Sequence, residues 1–170
     1  MKMRKSTHLW REEDHPRDDY GRFCKSNHLG EKIVDNSSKM LNNERKVETF
    51  KFDLLSGRIN TNIRFQKQNE HIVGTRARAK RVENDQKQNK TPASVFLNTI
   101  DVKALISNGI GTGEIVFSRN QKYPREYVNC DIPIGNVWRQ GKNAYVQTRR
   151  FVRVYSKYGI HAYPVKEKED

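Results

Sequence analysis

The 170 residues and 20.0 kDa of this chain leave room for one ordinary domain and a tail, and little for two full domains, because domains cluster near ~100–150 residues. A hydrophobic fraction of 34% and a mean hydropathy of −0.97 lie below the ~45–50% apolar content usual for globular chains, so part of the sequence lacks the apolar surface to offset its ordering entropy. The formal net charge is +13, no run approaches the ~18 apolar residues of a membrane span, and the opening MKMRKSTHLWREED has no apolar secretory core, so no membrane partner is expected and the chain reads as cytosolic or delivered by other machinery.

The charge is uneven. Cut after Arg58, the chain carries 13 basic and 10 acidic residues before the cut and 20 and 10 after it. A positive field of this kind attracts phosphate backbones or anionic surfaces, or serves only to keep a surface solvated. Cys24 and Cys130 are too few and too far apart for a disulfide framework or a zinc site and read as reduced thiols.

Residues 1–58 show no sustained periodicity and read as a basic, polar, mostly disordered arm. An apolar patch at its end, Phe50, Phe52, Leu54 and Leu55, suggests a strand or a docking segment. Residues 59–170 are expected to form the domain. Within it, RFQKQNEHIV places Phe65, Asn69, Ile72 and Val73 near one helical face and ends at Gly74, a favourable helix stop. His71 then falls in the last turn. TRARAKRVENDQKQNK is polar and strongly basic and reads as an exposed loop or frayed helix ended by Pro92. SVFLNTI suits a strand, and Asp101 suits the N-cap of a short helix, VKALIS, which stops at Asn108-Gly109.

Five apolar or alternating runs follow: GEIVFS, REYVNC, IGNVWR, AYVQTRRFVRVYS and IHAYP. Their separators are too short for parallel crossovers, so the strands are expected to pair antiparallel. The fold class is therefore α+β, with short helices leading into a meandering antiparallel sheet. Alternation puts Phe151, Arg153 and Tyr155 on one face of the long arm and Val152 and Val154 on the other, one face core-like and the other open to charge.

Of five histidines, His8, His15 and His28 fall in the arm and only His71 and His161 in the domain. Cleaving RNA without a metal requires removal of the 2'-OH proton, stabilisation of a pentacoordinate phosphorane and protonation of the departing 5'-oxygen. Two imidazoles suit the proton work, since their unperturbed pKa is ~6.5, while cations and hydroxyls cover the phosphate oxygens. Thr148, Arg149, Arg150, Arg153, Ser156 and Lys157 surround His161 in sequence and supply such donors. A turn at KYG brings Ser156 near His161. The same pair also reads as a half-exposed strand histidine and a polar helix-end residue with no catalytic task. GIGTGE has the wrong glycine spacing for a phosphate loop, and Asp101, Glu114, Glu126 and Asp131 are too scattered for a two-metal site, so neither metal nor cofactor is expected. The domain's tyrosines and Trp138 suit base stacking or, more commonly, cross-strand packing.

The ordered blocks KQNEHIVGT, the Ser94 strand, GIGTGE, EYVNCDIPIG, Thr148 and VYSKYGIHAYP resemble the polymorphic toxin type 50 domain over about residues 59–165. The resemblance implies a fold and activity of the barnase, EndoU, colicin and RelE-like group of metal-independent RNases, with a helical segment ahead of an antiparallel sheet. It places His71, Thr148, Ser156 and His161 in the active site and leaves open which histidine is acid and which base. On this reading His161 takes the 2'-OH proton, His71 or a nearby cation serves the leaving group, and Lys67, Arg150, Arg153 and Lys157 bind phosphate. The products are a 2',3'-cyclic phosphate and a free 5'-hydroxyl, with tRNA or mRNA as substrate and an immunity protein as partner. DHPRDDYGRF further resembles terminal segments of phage minor head proteins. That adds a virion setting with capsid or portal partners and an alternative function, nucleic-acid binding without chemistry.

Overall fold

Short helices lead into antiparallel strands, as the run lengths and separators predict. The computed structural model describes residues 28–119 and 121–168, with side chains from Lys39 onward. The described residues fall into two units, one ending at Glu44 and the other beginning at Arg45. DHPRDDYGRF lies outside the described residues, as do His8 and His15. Inside the stretch read as an arm, residues His28–Leu55 form a helix, α1. The described part of the first unit is this helix up to Glu44, whose side chains from Lys39 are exposed.

The apolar patch at the end of α1 is helical rather than a strand, and it docks. Phe50 is buried and meets Tyr155 edge-on at 4.9 Å and Phe117 at 6.1 Å, whereas Phe52 and Leu55 remain exposed. One inward aromatic, not a period-2 stripe, holds this segment on the core of the second unit.

In that unit α2 spans Phe65–Gln68 and continues as a 3-10 turn through Asn69–His71. Gln68 and His71 are buried and Ile72 packs partly buried against the core, while Phe65 and Val73 are exposed, so only part of the apolar face read from the sequence turns inward. The cause is polar: Gln68 Oε1 accepts the Ala162 amide at 2.7 Å, drawing that face of the helix onto the sheet. Gly74 closes the segment at φ +80°, as its position suggests.

The basic stretch after it is a full helix, α3 (Arg76–Lys87), capped by Thr75, whose Oγ1 accepts the Arg78 amide at 3.1 Å. Arg81–Asp85 and Glu83–Lys87 pairs at i,i+4 add support. The helix α4 (Val102–Ser107) begins as predicted, with Asp101 Oδ1 accepting the Ala104 amide at 2.9 Å. GIGTGE is a loop, with Gly109 and Gly111 at positive φ.

Two antiparallel sheets stand where one meander was expected. β1 (Val95–Phe96), β4 (Gly135–Arg139) and β5 (Ala144–Thr148) form a three-stranded sheet in the order β1-β4-β5. β2 (Glu114–Val116), β3 (Arg125–Asn129), β6 (Arg150–Ser156) and β7 (Gly159–Pro164) form a four-stranded sheet in sequence order. AYVQTRRFVRVYS is therefore not one arm: it leaves one sheet at Thr148 and enters the other at Arg150, with the Arg149 carbonyl accepting Cys130 N at 2.7 Å. The core of Phe96, Ile106, Ile134, Phe151, Tyr155 and Ile160 lies among these elements.

The hairpin joining β6 to β7 turns through Lys157–Tyr158, with Ser156 paired to Gly159. Gly159, at φ +112°, lies where a Cβ would meet the Asn62 carbonyl at 2.1 Å. That close approach lets Asn62–Arg64 lie along β7, through Ile160 N to Asn62 O at 2.8 Å and Arg64 N to Ile160 O at 2.7 Å. Residue 64 leads straight into α2, so this contact fixes His71 relative to β7.

Candidate active site

Lys67, Glu70 and His71 from the α2 segment, Arg81 from α3, Ala93 and Ser94 ahead of β1, and His161 and Tyr163 from β7 line a cleft of about 330 Å³. His71 and His161 thus meet on one cavity from positions 90 residues apart in the chain. Tyr163 lies against both rings: His71 stacks on it with centroids 5.1 Å apart, and His161 tilts toward it at 6.1 Å.

The two imidazoles differ in their surroundings. His71 is buried, and its Nδ1–H donates to the Ser94 carbonyl at 2.9 Å, because a carbonyl can only accept. That leaves Nε2 as its working nitrogen. Desolvation lowers the His71 pKa, partly countered by the Ser94 carbonyl and Glu70. His161 is half-buried, and its Nδ1 is sealed without a hydrogen-bond partner. Desolvation first, then the positive charges of His71, Lys67 and Arg64, pushes its pKa down to about 4. An imidazolium at 161 lacks the acceptor that His71 has in Ser94. His161 is therefore neutral at pH 7 and available as a base, and His71 is the better placed of the two to carry a second proton.

This difference has a consequence for stability. The folded His161 holds its proton less tightly than the unfolded side chain at ~6.5. Its neutral form contributes stability that is fully present above pH 6.5 and is lost as pH falls from 6.5 toward 4. The loss is on the order of 2 kcal/mol once solvent screening of a partly exposed ring is allowed for. Urea unfolding of the wild type and His161→Gln at pH 7 and pH 4.5 should show a steeper decline for the wild type; parallel declines would contradict the assignment.

Glu70 organises the cations. Its carboxylate takes Lys67 Nζ at 2.9 Å and Arg81 Nη1 at 3.1 Å, and Asp85 takes Arg81 Nε at 2.9 Å. Lys67 and Arg81 are thereby held at the cleft wall. Among the described residues no group of three or more His, Cys, Asp or Glu side chains is placed to hold a metal ion, and no helix is long and apolar enough to cross a membrane.

The cleft gathers His71, His161 and Lys67 from the residues singled out in the sequence, and the others lie elsewhere. Thr148 is buried, donating to the Val165 carbonyl at 2.7 Å and accepting Arg150 N at 3.1 Å. Ser156 shares a face with His161, yet its hydroxyl is committed to the hairpin turn, donating to Gly159 O at 2.8 Å. Arg150 pairs with Glu114 at 2.9 Å and lies over Tyr127. Lys157 lies over Tyr158 at the exposed turn. Arg153 faces the core, 1% exposed, where Glu126 and the carbonyls ending α4 take its guanidinium. The face that carries Arg153 is the core face, the reverse of the expectation that charge marks the open one, because a fully paired guanidinium is tolerated inside.

Sequence reasoning missed Glu70 and Arg81 and gave Tyr163 only the choice, shared by all the domain's tyrosines, between base stacking and cross-strand packing. Arg81 stands in a stretch read as an exposed loop or frayed helix. The N-cap threonine at 75, followed by the 81–85 and 83–87 pairs, was the available signal for a helix that presents it.

The model of the family described as bacterial toxin 50 matches residues 63–164, more than half of the chain. The match begins at the segment that runs along β7 and ends at the last residue of β7. No curated protein and no solved structure matches the chain.

Proposed function

The chain belongs to the bacterial toxin 50 family, and from that premise we propose that the His71–His161 cleft is the active centre of a metal-independent endoribonuclease toxin. The observation that supports it is a pair of imidazoles, unequal in environment, on one cavity edged by Lys67 and Arg81. In the proposed reaction neutral His161 takes the 2'-OH proton at Nε2 as the 2'-oxygen attacks phosphorus. Lys67 and Arg81 stabilise the phosphorane oxygens. Protonated His71, held through Nδ1 by Ser94, donates from Nε2 to the departing 5'-oxygen. The P–O5' bond breaks, leaving a 2',3'-cyclic phosphate and a 5'-hydroxyl. An active toxin of this kind calls for a restraining immunity protein.

A second reading is a nucleic-acid-binding protein without chemistry, whether in a phage head or elsewhere. What favours it is that Lys67 and Arg81 are already paired with Glu70, and that Arg150, Arg153 and Lys157 lie outside the cleft. Incubating tRNA and total RNA with purified protein in EDTA decides between them. Fragments ending in 2',3'-cyclic phosphate support the ribonuclease; intact RNA, bound with steep salt dependence, overturns it in favour of the second reading.

A further inference from the structure

The β1–β4–β5 sheet buries one face and leaves the other open. Phe96, Gly135, Val137 and Thr148 point inward and are buried. On the opposite face the cross-strand partners Trp138 and Tyr145, and Asn136 and Gln147, stand side by side. Trp138 is half-buried and Tyr145 is 41% exposed. They pack edge to face, with centroids 5.2 Å apart and planes at 81°. A core pair would be sealed on all sides, whereas this one keeps aromatic surface in solvent.

This face is tied to the cleft through hydrogen bonds. The Tyr145 hydroxyl donates to the Ala93 carbonyl at 3.1 Å and accepts from Arg78 Nη2 at 3.1 Å. Arg78 Nη1 reaches the Ser94 carbonyl at 3.4 Å, the same oxygen that takes the His71 Nδ1–H. Ala93 and Ser94 both line the cleft. The phenol hydroxyl therefore sits on the outer side of the wall that positions His71. Next to it on α3 stands Arg78, while Arg76 and Lys80, both exposed, lie on the far side of that helix.

We propose that this outward face is a nucleobase-stacking subsite for single-stranded RNA nucleotides flanking the reacting phosphate, an inference that rests on the ribonuclease reading above. Tyr145 and Trp138 supply the stacking surface, the Asn136 and Gln147 amides offer paired donors and acceptors to base edges, and Arg78 supplies a cation beside them for the backbone. Two aromatics, two amides and the adjacent Arg78 match the chemistry of unpaired nucleotides, with the half-buried Val95 beside Asn136 as further apolar surface under a base. The subsite selects single-stranded regions, because a paired base cannot lie flat on it.

The test uses the full chain and a fluorescent 2'-O-methyl oligonucleotide, which binds without reacting, followed by anisotropy. Tyr145→Ala should weaken binding by about tenfold, the loss of one base–aromatic stack, while Tyr145→Phe, which keeps the ring, should bind within about twofold of wild type. As a measurement independent of any variant's folding, photo-crosslinking of a 5-iodouridine oligonucleotide to the wild type should label Tyr145 or Trp138. Unchanged affinity in Tyr145→Ala, no binding by the wild type, or crosslinks confined to other strands would overturn the subsite. Failure to cleave ordinary RNA would instead overturn the catalytic reading while leaving these measurements intact.

Discussion

Replacing His161 or His71 with Ala should each lower kcat/KM for RNA cleavage in EDTA by about 10²- to 10⁴-fold, the usual worth of a positioned general acid or base. Both side chains line one cleft, so the two losses belong to a single chemical event and should not multiply. The double variant is expected to retain about the activity of the worse single variant. The variants differ in what else they disturb. His161 makes no hydrogen bond through its buried Nδ1, so removing its ring leaves no partner stranded. His71→Ala frees the Ser94 carbonyl, which still has Arg78 within reach at 3.4 Å. Circular dichroism and urea midpoints near wild type would show that the loss is chemical. Full activity in either folded variant would contradict the pairing of the two histidines.

Arg153→Ala should unfold the domain far more readily, by about 3–5 kcal/mol, the cost of leaving a buried charge without its partner. The guanidinium is 1% exposed and Glu126 is fully buried. Arg153 donates to Glu126 Oε1 at 2.9 Å, to the carbonyls of Leu105 and Ile106 at 3.1 and 3.0 Å, to Gly109 O at 3.0 Å, and to Asn108 O. Glu126 in turn accepts the Gly113 amide at 2.8 Å and the Tyr155 hydroxyl, whose pKa rises through burial and that carboxylate. One side chain thus closes the end of α4, the GIGTGE loop and the middle of the four-stranded sheet. Arg153→Lys should recover little, because an ammonium cannot reach carbonyls spread across a planar fork. Guanidinium denaturation checks this, and a loss below about 1 kcal/mol would contradict the structural role.

What the sequence revealed and what it hid follow from the range of the forces involved. Asp101 and Gly74 act within a turn of their own positions, so the start of α4 and the end of the α2 segment were legible. The strands of the four-stranded sheet were legible from their alternation and short separators. The division into two sheets was not, because β1 enters from far upstream to pair with β4 and nothing local at Arg149 announces the switch. Arg153 looked like a phosphate ligand for the same reason: alternation tells which residues share a face, and only the packing of α4 tells which face is inside. At the site, His71 and His161 were visible as the domain's two imidazoles. Their environments were not, since Ser94 and Arg81 reach them from two other segments and Glu70, although it adjoins His71, owes part of its cation pairing to one of these. Tyr163, two residues from His161 on the same strand face, was the partner most open to inference.

The pH dependence of kcat/KM for RNA cleavage in EDTA tests most directly whether these two imidazoles share the proton work. The free enzyme's ionisations set that profile. Neutral His161 is required, so activity should fall as pH drops through about 4. Protonated His71 is required, so activity should also fall as pH rises through a value below the ordinary 6.5 of histidine, in the direction its burial dictates. The account predicts a bell between those limits, with the acid limb missing from the residual activity of His161→Ala. A profile that stays flat across this range, or climbs steadily past pH 8, would contradict it.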